Sequence, residues 1–361
     1  MIKQKINNYT PDFIVHPGVT LSETLGAIGM SQTELSKRIS RPETAISEII
    51  NGSKSLTPET AIQLERALGI PASFWNNLEK NYQELKAKSE SKKALLKQSD
   101  LAANYPYAEM AKNGWVQQTN SLEEKIENLL SFFAVDKLSV IPEVMPTAFR
   151  QHNGRSISHY SIQAWLRKGL IDSQMVDTKP FNKQKLNNLL DEFRTLSVET
   201  PNIIVDKLTR SLAECGIALV FTKDLPNTYV CGASRWITPN KAILQLSLRG
   251  LYADIMWFTF YHELGHLLLH SKKKYFVDLN HTTNNTEEEK EADNFASEHI
   301  IPEQKLSEFI SKNEISVTSI TNFANELGIH PGIIVGRLQH KKKIEYKDFN
   351  HLRAKYYFVK S

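Results

Sequence analysis

His262-Glu263-Leu264-Gly265-His266 places two imidazoles and a carboxylate within five consecutive residues. A helix turns once every 3.6 residues, so His262 and His266 project from one face, one turn apart. Imidazole nitrogens at that separation reach a single metal at about 2.1 Å, as a zinc site requires. Glu263 stands one step round the helix, where it meets a water on the metal rather than the metal. That is the position of a general base in metal-assisted hydrolysis. The preceding run Leu251–Tyr261 (LYADIMWFTFY) is apolar almost all round, and Leu264, Leu267, Leu268 and Leu269 continue it. The pattern predicts a helix buried in a core, where three polar side chains without partners would be costly. Asp254, His262, Glu263 and His266 interrupt the run and exclude a membrane span.

A catalytic zinc keeps three protein ligands and leaves a fourth position open. His270 shares the face of His262, but eight residues of helix carry it about 12 Å along the axis, which excludes it as a ligand. A third histidine ten residues after the first would have to stand at Lys272, which excludes the metzincin arrangement. The acidic stretch Glu287-Glu288-Glu289-Lys290-Glu291-Ala292-Asp293 opens a second helix, with Ala292, Phe295, Ala296 and His299 as its inward stripe and Pro302 near its end. Carboxylates at a helix N-terminus also serve the helix dipole. Periodicity puts Glu288 nearer the stripe centre and Glu291 on its flank, and spacing does not choose between them.

FYHELGHLLLH followed by EKEADNFASEHIIP resembles the ImmA/IrrE family of metallopeptidases over roughly Ile203 to His340. The resemblance implies Zn2+ as cofactor, His262 and His266 as ligands and Glu263 as catalytic base. It implies a third ligand, a glutamate on the second helix, matched here by Glu291, with Glu288 as the alternative.

A second constellation occupies the first ~85 residues, as capping signals show. Ser31 with Glu34 three residues on forms a capping box, and the helix it opens turns Leu35 and Ile39 inward. Another helix begins at Pro42 and stops at Asn51-Gly52. Two short helices joined by a tight turn form a helix-turn-helix, whose second helix fits a DNA major groove. Thr57 caps a third helix ending at Gly69, and Phe74, Trp75, Leu78, Tyr82 and Leu85 follow at helical spacing. The segments HPGVTLSETL, MSQTELSKRI and ETAISEIINGSKSLTPETAIQLERALGIPASFWNNLEKNY resemble the Xre/Cro-type fold of HigA-like antitoxins from His16 to Tyr82. In that docking mode Arg41, Glu43, Thr44 and Ser47 face base edges, while Gln32, Asn51 and Lys54 meet phosphates. Such units read half-sites as two-fold dimers, so a homodimer on double-stranded operator DNA is expected.

The 361 residues carry a net charge of only +4, which neither argues for nor excludes nucleic acid. Two cysteines, Cys215 and Cys231, match no metal-binding spacing and suit a reducing cytosol. The polar opening MIKQKINNYT is no signal peptide, so a cytoplasmic protein is expected. Lys86–Ser99 is charged and poor in apolar residues, a solvated helical link. Leu122–Phe133, Ser161–Leu170 and Lys183–Leu196 show helical spacing, with Trp115, Trp165 and Phe181 as packing residues. Gly216–Phe221, Tyr229–Ile237 and Ala242–Leu248 read as strands of a small sheet. Its edge would accept an extended peptide beside the zinc helix, with a carbonyl presented to the metal; Arg235 and Tyr261 are candidates to polarise that carbonyl, though each reads first as structural.

The expected fold is multidomain and mainly α. Residues 1–88 form an all-α helix-turn-helix bundle, 89–200 a helical middle region, and 201–361 an α+β zincin-like domain with a small sheet and the HExxH helix. The expected function is an antitoxin-like transcriptional regulator with a zinc-dependent endopeptidase domain, acting on a regulatory protein substrate or cognate toxin. Its rival is a non-catalytic antitoxin or sensor in which zinc is structural or sensory.

Overall fold

The computed structural model describes residues 15–144, 157–250, 252–271, 276–278, 287–312 and 314–358. Two compact units emerge, Met1–Gln98 and Ser99–Ser361. The first is all helical: α1 (Pro17–Ile28), α2 (Gln32–Arg38), α3 (Glu43–Ile50), α4 (Pro58–Leu68) and α5 (Ala72–Leu96). Its boundaries follow from local chemistry. The Ser31 hydroxyl accepts from the Glu34 amide at 3.1 Å, satisfying an orphan donor of α2. Only half of the expected capping box forms, because the Glu34 carboxylate pairs with Arg38 at 2.6 Å instead. Thr57 caps α4 through the Thr60 amide, and Gly69 closes that helix in the left-handed region at φ 72°. Leu21, Leu25, Leu35, Ile46, Leu64 and Trp75 form the core of this unit.

The second unit opens with α6 (Ser99–Ala103), α7 (Tyr107–Lys112), α8 (Leu122–Phe133), α9 (Ile141–Val144), α10 (His159–Gln174), α11 (Lys183–Thr195) and α12 (Pro201–Glu214). The sheet comprises β1 (Ile217–Phe221), β2 (Gly232–Thr238), β3 (Lys241–Leu246) and β4 (Phe276–Asp278), in the order β1-β3-β2-β4. β1 runs parallel to β3, while β2 is antiparallel to both β3 and β4. Trp165 on α10 donates its indole N–H to the Thr222 carbonyl at 3.0 Å, and Gln245 on β3 donates back to the Trp165 carbonyl at 2.8 Å. Those two bonds tie the helical segment to the sheet. The strand read over 229–237 begins three residues later, and β4 pairs with its first three residues, Gly232–Ser234. The edge of β2 over that stretch is therefore already occupied.

The long apolar helix is α13 (Ala253–Leu269), followed by α14 (Glu287–Ile300), α15 (Glu303–Ser311), α16 (Val317–Leu327) and α17 (Pro331–His340). Continuous burial from Thr259 to Leu268 accounts for its all-round apolar character. Its first turn is clamped by Arg353, which holds Asp254 through two hydrogen bonds of 2.8 and 3.1 Å and lies 3.7 Å over the Tyr252 ring. The α16–α17 pair, which echoes a helix-turn-helix in sequence, turns Ile333, Ile334, Val335 and Leu338 into the core. No helix among the described residues is long and apolar enough to cross a membrane.

Residues 1–98 expressed alone are expected to unfold cooperatively in urea, followed by the fluorescence of Trp75, the one tryptophan in that stretch. Leu64 is fully buried, so Leu64→Ala should lower the fragment's stability by about 2–5 kcal/mol through lost transfer energy and a residual cavity.

Candidate metal centre and nucleic-acid interface

Within the second unit, α13 and α14 run antiparallel and unusually close. Gly265 permits this, since a Cβ there would stand 3.2 Å from the Ala292 Cα. On the α13 side of that contact the Nε2 atoms of His262 and His266 face each other at 2.9 Å. Glu289 Oε2 completes a triangle, 3.3 Å from His262 Nε2 and 3.6 Å from His266 Nε2. The far side of each ring is also engaged. His262 Nδ1 donates to Asp293 Oδ1 at 2.9 Å, and His266 Nδ1 lies 2.9 Å from His270 Nδ1. With a proton on each Nδ1, both Nε2 atoms present lone pairs to the same point. Two lone pairs and a carboxylate so placed repel one another unless a cation stands between them.

The donor set suits zinc. Tetrahedral ligands at 2.0–2.1 Å from one ion lie about 3.3 Å apart, and the three separations here bracket that value. Burial pushes the His266 pKa down, which keeps its imidazole neutral, as a ligand must be. Glu263 is fully buried against β2. A Cβ on Gly232 would lie 2.5 Å from Thr259 Cγ2 and 3.0 Å from Glu263 Cγ, so only glycine lets the strand pass this carboxylate. Tyr261 points elsewhere, donating its hydroxyl to the Leu190 carbonyl at 2.7 Å.

In the first unit, α2 and α3 form the two helices of the turn motif. Thr44 is exposed on α3, with Ser47 half-buried and Asn51 at its end; Asn51 donates to the Ser47 hydroxyl at 3.2 Å. Glu43 accepts from the Thr33 hydroxyl at 2.8 Å, and exposed Lys54 pairs with Glu48 at 3.3 Å. Gln32 opens α2 half-buried. Arg41 is turned back onto α4, donating to Gln63 at 2.5 Å and pairing with Glu59 at 3.3 Å.

Residues 22–75 match the family model for a helix-turn-helix, and residues 216–339 match Peptidase_M78, the IrrE N-terminal-like domain. Virulence-associated protein A of Dichelobacter nodosus is 36% identical over 69 residues, which cover 19% of this chain and 68% of that protein. The chain belongs to a helix-turn-helix family and carries a Peptidase_M78 domain. Among solved structures, an addiction module antidote protein of a HigA family from Coxiella burnetii is 35% identical, covering 24% of this chain and 94% of that one, with a TM-score of 0.22. Pseudomonas aeruginosa antitoxin HigA with higBA promoter is 25% identical over 23% of this chain and 90% of that one, with a TM-score of 0.22.

The Peptidase_M78 domain departs from the sequence expectation at one residue. The carboxylate beside the two histidines belongs to Glu289, and neither Glu291 nor Glu288 occupies that place. Glu291 instead bonds His270, with its side chain 52% exposed. The buried positions of α14 are Ala292, Ala296 and Ile300. At about 100° per residue, Glu289 lies about 20° from the centre of that line, Glu288 about 80° and Glu291 about 140°. Taking Phe295 and His299 as the stripe rotates the centre toward Glu288 and hides the third carboxylate. The signal was the small residues: Gly265 facing Ala292 marks where the helices meet.

Purified protein should carry about one zinc per chain by elemental analysis, following the three-ligand rule. Glu289→Ala should lose most of it, whereas Glu291→Ala should retain near-normal stoichiometry under saturating zinc. Retention by Glu289→Ala would contradict the assignment.

Proposed function

We propose that this chain is a transcriptional regulator whose helix-turn-helix unit holds operator DNA as a dimer. Its Peptidase_M78 domain, on this reading, hydrolyses a peptide bond in a regulatory protein or cognate toxin. The observation that carries the hydrolytic part is the convergence of His262 Nε2, His266 Nε2 and Glu289 next to the Glu263 position. A purely structural zinc site closes with a fourth protein ligand and has no use for a base.

Zn2+ held by these three residues would supply a Lewis acid that polarises the scissile carbonyl and acidifies water. Asp293 fixes the tautomer of His262 and orients its ring. Glu263 takes the proton of the attacking water and returns it to the leaving amine. Gly232 keeps the adjacent strand from displacing that carboxylate. On DNA, Thr44, Ser47 and Asn51 present short polar groups to base edges and phosphates, and Arg41, held by Gln63 and Glu59, orders the turn that aims α3.

Two observations favour the non-catalytic alternative, antitoxin or metal sensor: Glu263 is wholly buried, and β4 already pairs with β2 beside it. Glu263→Gln separates the two readings, since it removes basicity while touching no ligand. Co-expression with the neighbouring gene product should give partner fragments from the wild type. In Glu263→Gln, cleavage should fall at least about 10²-fold with zinc content unchanged. Equal promoter output and no fragments from either protein would leave the sensor reading standing.

The DNA side has its own test, by fluorescence anisotropy on an inverted repeat with half-sites about one helical turn apart. Lys54→Ala should weaken all sequences alike and flatten the salt dependence. Thr44→Ala should cost affinity at one base position only. Equal affinity for operator and random DNA at physiological salt would contradict the repressor reading.

A further inference from the structure

His270 and Glu291 are the two residues that the metal chemistry leaves over, and the structure joins them to each other and to the metal centre. His270 caps α13, with extended backbone at φ −108°, ψ 169°. There its side chain folds back alongside the preceding turn. Its Nδ1 lies 2.9 Å from His266 Nδ1, and its Nε2 lies 3.0 Å from Glu291 Oε2. The His270 side chain is 3% exposed, so this chain of contacts starts in the protein interior and ends at a carboxylate in water.

The directions of the bonds follow from the acceptor at the end. A carboxylate only accepts, so His270 Nε2 carries the proton. Its Nδ1 then holds a lone pair and accepts from His266 Nδ1–H. That leaves the lone pair of His266 on Nε2, facing His262 Nε2 and Glu289. Each link fixes the tautomer of the next. We propose that His270 and Glu291 form a relay that locks His266 in its metal-binding tautomer and orientation. His270 is thus a positioning residue rather than a ligand. This rests on the reading of His262, His266 and Glu289 as a metal centre. His262 reaches the same end by a shorter route, through Asp293 directly.

Supporting partners of a ligating histidine are commonly worth 10–100-fold in metal affinity. Zinc affinity of the full-length protein, measured by competition with a chromophoric chelator, is the readout. Circular dichroism of the metal-free proteins checks folding. His270→Ala should bind zinc about 10–100-fold more weakly. His270→Asn should recover much of the loss, because its amide oxygen falls near the place of Nδ1 and accepts the same bond. Glu291→Ala should weaken zinc by a smaller factor, since water reaches its position. That factor should vanish in a His270→Ala background, because Glu291 acts only through His270. Loss in Asp293→Ala should instead add to that of His270→Ala. The d–d spectrum of the Co2+-loaded protein should shift in His270→Ala and return toward wild type in His270→Asn.

Wild-type affinity in His270→Ala would overturn the relay, as would a Glu291→Ala effect of equal size in both backgrounds. Wild-type protein that takes up no zinc would overturn the metal centre itself, a distinct failure read in the first titration.

Discussion

The close antiparallel contact of α13 with α14 is the constraint on which the rest of the second unit depends. Gly265 against Ala292 brings the helices near enough for Glu289 to reach two histidines on the opposite helix. The same contact delivers Asp293 to one histidine and Glu291 to the residue behind the other. A larger residue at either small position would separate the carboxylates from the imidazoles. The sheet, the α16–α17 pair and the Arg353 clamp hold α13 in place for that contact. The buried His262 and His266 are tolerated here because Asp293 and His270 take up their Nδ1 atoms.

The first unit is built on a different economy. The helices α2 and α4 are short, and their ends are set by Ser31, Thr57 and Gly69 rather than by long apolar stripes. The core around Trp75 and Leu64 then fixes α3 so that Thr44 and Ser47 remain on the surface. Arg41 takes part in that framework through Gln63 and Glu59, and its guanidinium is consequently committed within the unit.

Much of this architecture is legible in the amino-acid sequence. The 3.6-residue spacing of Leu122–Phe133 gives α8 to the residue, and the three apolar runs after Gly216 give β1, β2 and β3 within a few residues at their ends. HExxH gives the paired histidines because their geometry is local to one helix. What depends on a second helix is harder to read. Glu289, Glu288 and Glu291 differ only in rotation, and rotation is set by which residues of α14 meet α13. The bulky Phe295 and His299 suggest one answer, while the small Ala292 and Ala296 mark the true line of contact. His270 illustrates a related point. Its rise along the helix excludes it from the coordination sphere, but a contact with His266 needs only one turn, and the bond direction becomes visible once Glu291 is seen at its far end. β4 is three residues long, too short for alternation to show.

The proposed hydrolysis requires that two imidazoles and the Glu289 carboxylate hold a zinc ion in the Peptidase_M78 domain. X-ray absorption at the zinc edge of the loaded full-length protein tests it directly. A shell of nitrogen and oxygen at about 2.0–2.1 Å is expected, with outer-shell scattering from two imidazoles and no sulfur. Glu289→Ala loaded under the same conditions should leave most of the zinc unbound, so its edge spectrum reverts toward that of aqueous zinc. A third imidazole, a sulfur ligand near 2.3 Å, or full zinc loading of Glu289→Ala with a wild-type edge spectrum would overturn the assignment.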